Sequence, residues 1–166
     1  MIHSYANVGR KSAGAPERAR RAEELIKQIE RLYESGQNEN VKPDVVTYSA
    51  VLNALSRAAA QDEACASRAM EILERMLDLH EGGDKDVKPN KRTYTAVINA
   101  FARIGKPEVA DDLLCKMKKN HEIMGDASLK PDTVCYSSVL DAYAKKGGEE
   151  AGERVCESNF SSFCSY

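Results

Sequence analysis

The stretch Lys42-Pro43-Asp44-Val45-Val46-Thr47-Tyr48-Ser49-Ala50-Val51-Leu52-Asn53-Ala54-Leu55 decides the fold. After Tyr48, apolar residues fall three, four and seven places on, at Val51, Leu52 and Leu55, which is one face of an α-helix. The pattern returns as Tyr94, Val97, Ile98, Phe101 and again as Tyr136, Val139, Leu140, Tyr143. Each copy follows Lys-Pro and then Asp or Asn: Lys42-Pro43-Asp44, Lys88-Pro89-Asn90 and Lys130-Pro131-Asp132, spaced by 46 and 42 residues. Proline ends extended chain, and the acidic or amide side chain after it caps the next helix. Ala54, Ala100 and Ala142 recur at one equivalent place, where a small side chain lets a neighbouring helix approach closely.

A second amphipathic helix follows each of the first two copies. Its stripe is Ala69, Ile72, Leu73, Met76 in one and Ala110, Leu113, Leu114, Met117 in the next. An earlier version, Ala22, Leu25, Ile26, Ile29, has no complete first helix before it. The unit is therefore helix A, turn, helix B, loop. Two such helices cannot bury their apolar faces alone, so the copies must stack side by side. The expected fold is all-α, a right-handed α-α superhelix of helix-turn-helix repeats.

This divides the chain into a partial repeat over 1–44, full repeats over 45–90 and 91–132, a partial repeat over 133–155 and a non-repeat tail over 156–166. Met1–Tyr5 aligns with the back half of a helix A, and 147–155 starts a helix B that stops, so the chain reads as a fragment truncated at both ends. Gly/Asp-rich stretches at 35–41, 81–87 and 121–129 read as solvated loops, and Asp84-x-Asp86 lacks the rest of a calcium-binding loop.

Composition narrows the function. A net charge of −2 in 166 residues, with 30% charged residues, excludes a strongly basic duplex binder. No run approaches the roughly 18 apolar residues of a membrane span. The five cysteines (Cys65, Cys115, Cys135, Cys156, Cys164) form no C-x-x-C pair, and His3, His80 and His121 stand far from one another. Buried thiols are expected, not a disulfide framework or a zinc site. No nucleophile stands with a placed base and no carboxylate cluster suits metal-dependent cleavage, so neither a catalytic residue, a cofactor nor a small-molecule substrate is expected.

The junctions, the tyrosines and the helix-B methionines hold one register that resembles the pentatricopeptide repeat family. The match is to its helix pairs, with repeats longer than the usual length of about 35. Tetratricopeptide repeats, which chiefly bind peptides, are a poorer fit, since the chain lacks their tryptophan pattern. The resemblance implies single-stranded RNA binding at about one base per repeat on the helix-A surface, without enzymatic activity of its own. It also implies organelle RNA processing, stability or translation, in a mitochondrion or plastid. It is equally compatible with the RNA-recognition arm of a larger protein, including a protein-only ribonuclease P.

By the same resemblance, the residue after the tyrosine and the last residue of the repeat together face a base. These are Ser49 with Asn90, implying adenine, and Thr95 with Asp132, implying guanine; Ser137 and Asp44 stand at such places without partners. A carboxylate accepts from guanine's N–H groups, and an amide suits adenine. Val46, Arg92 and Val134 would sandwich bases, and Arg57, Arg103 and Lys145 would contact phosphates. Plainer readings stay open: Asn90 and Asp132 as helix N-caps, Ser49 and Thr95 as ordinary first-turn residues, and the three cations as complements to helix C-termini. The competing function is a protein-interaction scaffold that holds a peptide in the same groove, which the acidic balance of 45–90 favours.

Overall fold

In the computed structural model, which describes residues 14–38 and 41–146, every Lys-Pro-Asp/Asn junction starts a helix. Six α-helices follow one another: α1 (Ala15–Glu34), α2 (Val45–Ala58), α3 (Ala64–Glu81), α4 (Lys91–Arg103), α5 (Pro107–Met124) and α6 (Thr133–Lys146). A short 3₁₀ turn, Ala127–Leu129, precedes α6, and no strand occurs among the described residues. The A helices α2, α4 and α6 pack side by side, and each B helix packs on its neighbouring A helices. The half-helix expected at 1–5, the helix-B start at 147–155 and the tail lie outside the described residues, with Cys156 and Cys164.

The periodic residues form the core. Tyr48, Val51, Leu52 and Leu55, with Tyr94, Val97 and Ile98, are all at most 1% exposed. Ala69, Leu73 and Met76 are buried beneath α3, and Ala110, Leu113, Leu114 and Met117 beneath α5. Ala54, Ala100 and Ala142 are all buried. The third copy departs from this: Leu140 is 50% exposed and Tyr136 half-buried, because no described helix follows α6 to cover that face. Of the thiols, Cys65 and Cys135 are buried and Cys115 is half-buried.

The tyrosine hydroxyls need partners once their rings are buried. Tyr48 donates to Glu30 Oε1 at 2.6 Å, and Tyr94 accepts from Asn120 Nδ2 at 3.0 Å. Burial foremost, then Glu30, pushes the Tyr48 phenol well above its usual range. Glu30 also meets Arg75 Nε at 3.0 Å, while Arg68 reaches Glu23 at 3.6 Å and Asp62 at 3.2 Å. An ionic seam thus runs between α1 and α3.

The loops do more than the solvated reading allows. Val87 and Leu129 are buried, and the loop carboxylates turn back to the junction lysine that opens the repeat. Lys42 Nζ pairs with Asp84 at 2.9 Å and Asp86 at 2.8 Å; Lys88 Nζ pairs with Asp126 at 2.6 Å. Each loop is also held by the histidine closing helix B: His80 Nδ1–H donates to the Asp84 carbonyl at 3.1 Å, and His121 Nδ1–H to that of Asp126 at 2.7 Å. Asp84-x-Asp86 is therefore a lysine clasp.

Lys88 foremost, with the Ser128 amide and hydroxyl, lowers the Asp126 carboxyl from 3.8 to about 2. A group depressed on folding stabilises above its unfolded value and loses that contribution as pH falls through the folded one. The melting temperature of Lys88→Met should therefore lie below wild type at pH 7, and the gap should close between about pH 5 and pH 2. Circular dichroism melts across that window check this; a gap constant with pH would show that the clasp does not act through the Asp126 charge.

Candidate nucleic-acid interface

The candidate base-reading residues sit at the starts of the A helices or one turn in, and Lys91 and Thr95 of α4 reach Asp132 and Cys135 at the start of α6. Asp44 caps α2, accepting from the Thr47 amide at 2.8 Å and the Thr47 hydroxyl at 2.7 Å. Asn90 caps α4 through the Arg92 amide at 2.9 Å and the Thr93 amide at 3.3 Å, and Thr93 completes a capping box. Asp132 Oδ1 caps α6 through the Val134 amide at 3.1 Å and the Cys135 amide at 3.3 Å. All three are only half-buried, so capping and surface display coexist.

Ser49 and Thr95 lie one turn into α2 and α4, half-buried. Each hydroxyl donates to the carbonyl four residues back, Ser49 to Val45 and Thr95 to Lys91, both at 2.6 Å. Their lone pairs still have acceptor capacity. Ser137 is exposed at the equivalent place on α6.

The two pairs differ in how they are tied. Thr95 Oγ1 lies 3.2 Å from Cys135 Sγ, and that thiol donates to Asp132 Oδ1 at 3.4 Å. Thr95 on α4 and Asp132 at the start of α6, near the two ends of one repeat, thus both lie against one buried sulfur. At the position matching Cys135 in the preceding repeat stands Thr93, whose hydroxyl turns back to the Asn90 carbonyl at 2.7 Å. The other Asp132 oxygen, Oδ2, meets Lys91 Nζ at 2.9 Å. Lys91 foremost, against the opposing cost of burial, and then the Cys135 amide and thiol hold the Asp132 carboxyl below the usual carboxylate range.

Val46 and Val134 are 53% and 56% exposed, unusual for valine, and Arg92 is exposed on the same helix turn of α4. Arg57, Arg103 and Lys145 are exposed in the last turns of α2, α4 and α6. All the residues singled out in the sequence are therefore at least partly accessible, and they recur on successive A helices.

A family model described as the pentacotripeptide-repeat region of PRORP matches residues 17–162. The chain belongs to this family. No match was found among curated proteins. Within this pentacotripeptide-repeat region, the sequence reading missed two residues that touch the second candidate pair, Lys91 and Cys135. Their signal was positional only: Cys135 stands three places after the capping residue, where Thr47 and Thr93 stand in the other repeats, and Lys91 replaces Val45. No described helix is long and apolar enough to cross a membrane.

Proposed function

We propose that this chain binds single-stranded RNA along its A helices, reading one base at Ser49/Asn90 and the next at Thr95/Asp132. The observation that supports it most is the second pair. A hydroxyl and a carboxylate from the two ends of one repeat both lie against Cys135 on a half-exposed surface. Exposed Val46, Arg92 and Val134 beside the pairs offer apolar and guanidinium faces for stacking, and Arg57, Arg103 and Lys145 offer charges for phosphates. Ser137 would begin a third position. In this reading the chain recognises RNA and does no chemistry on it, in organelle RNA processing, stability or translation within a mitochondrion or plastid.

Stacking contributes about 1–3 kcal/mol per base before ordering costs, so two complete positions support only weak binding. Titration by fluorescence anisotropy at several salt concentrations should show tighter binding of a short RNA carrying AG than of one carrying GA. Affinity should fall as salt rises. Equal affinity for both, with hits from a peptide library instead, would replace the RNA reading by the scaffold.

A further inference from the structure

Tyr33 is an aromatic side chain left 38% exposed at the end of α1, beside a cleft between the B helices α1 and α3. The cleft comprises a cavity of about 300 Å³ and a smaller one of about 110 Å³, which share Glu30, Glu34, Tyr48 and Arg75. The smaller falls below the roughly 300–1,000 Å³ of a small-molecule pocket and suits a single side chain. Tyr33, Pro43 and Leu79 give it apolar walls. Glu30 uses one oxygen, Oε1, for both the Tyr48 hydroxyl and Arg75 Nε, which leaves Oε2. Glu34 is 66% exposed and reaches Arg75 only at 3.6 Å, so its carboxylate keeps most of its acceptor capacity. Tyr33 and Glu34 lie in the last turn of α1, and Leu79 in the last turn of α3. The negative dipole ends of two helices therefore flank this cavity.

We propose that the smaller cavity is a docking site for an arginine side chain of a partner protein. Charge selects a cation. Arg75 offsets Glu30 and Lys42 offsets Asp84, which leaves the Glu34 charge and the two helix ends to repel an anion. Shape selects guanidinium over ammonium. A guanidinium plane stacks on a phenol ring such as Tyr33, while its fork of donors meets Glu34 and the remaining Glu30 oxygen together. The aliphatic stem is accommodated along Pro43 and Leu79. A lysine ammonium, compact and strongly hydrated, gains neither the fork nor the planar stacking. Arg75 already displays the match, since Glu30 and Glu34 both hold its guanidinium. None of these side chains is among the proposed RNA contacts, so the partner's surface is separate from them.

The test titrates blocked tripeptides into the full, nitrogen-15-labelled chain and follows backbone amides by NMR. The central residue, between two glycines, is arginine, lysine or citrulline; citrulline keeps the shape of arginine without its charge. The arginine peptide should shift the amides of Tyr33, Glu34 and Leu79. It should bind about tenfold more tightly than the citrulline peptide, the scale of one charge-assisted contact. The lysine peptide should fall between them. In Glu34→Gln, arginine should weaken to the citrulline level, and in Tyr33→Leu its advantage over lysine should shrink. Both side chains are exposed, so melts of the two variants should match wild type. Equal binding of arginine and citrulline peptides would overturn the proposal, as would equal binding of arginine and lysine. Shifts centred on the exposed Glu71, Glu74 and Asp78 of α3, unchanged by Glu34→Gln, would also overturn it by showing general attraction to acidic surface. Free arginine carries its own carboxylate and should bind more weakly than the blocked peptide; tighter binding would make this an amino-acid site instead of a protein-docking one.

Discussion

Tyr94→Ala should destabilise the chain by about 3–5 kcal/mol, the scale of deleting a fully buried aromatic side chain. Three effects act together. The ring is 1% exposed in α4, the central A helix, which touches α2, α3, α5 and α6. Its removal opens a void in the buried core around α4. It also strands the Asn120 amide, whose donation to Tyr94 at 3.0 Å crosses from α5 to α4. Set against a total stability of roughly 5–15 kcal/mol, the loss is a large share of the whole. Tyr136→Ala, at the equivalent place in α6, should lose much less. Its ring is only half-buried, and its distinctive contact is Lys118 Nζ at 5.1 Å from the ring centre, worth about 0.5–1 kcal/mol at an exposed site. Urea unfolding followed by circular dichroism measures both. Similar losses for the two would show that the array does not concentrate its core at α4.

The helices were legible because their signal is local and repeated. Lys-Pro-Asp sets a cap, and a tyrosine with apolar residues three, four and seven places later sets a face; both are matters of spacing along the chain. The cations were partly legible, since Arg57, Arg103 and Lys145 recur in register and prove exposed. The loop clasps were not. Lys42 meets Asp84, and Lys88 meets Asp126, across about forty residues, and a Gly/Asp-rich stretch looks the same whether it is solvated or folded back. His80 and His121 were read as isolated, although each ends a helix B at the same depth and holds a loop carbonyl. Lys91 and Cys135 were invisible for a different reason. They break the repeat pattern at their positions; Cys135 reaches Asp132 within the first turn of α6, and only the packing of α4 against α6 brings Lys91 to the same carboxylate. Departures from a repeat consensus that meet in space are where one repeat can differ in function from the next.

Asp132→Asn separates the two roles that this residue combines. As a helix cap, asparagine is about as good as aspartate, and the lost ion pair with Lys91 is a half-exposed one of about 0–1 kcal/mol, so stability should change little. As a reader of bases the substitution is severe. The carboxylate, an acceptor only, becomes an amide that both donates and accepts, which suits the N–H and ring nitrogen of adenine and no longer favours guanine. The second preference should move from guanine towards adenine by about 1–3 kcal/mol, or roughly 5- to 150-fold in relative affinity, with the first preference untouched. Competition binding between RNAs carrying AG and AA measures the shift, and a melt of the same sample confirms the fold. If the variant stays folded and binds RNA but keeps the wild-type preference, Asp132 serves only to start α6, and base discrimination at this position must come from other side chains.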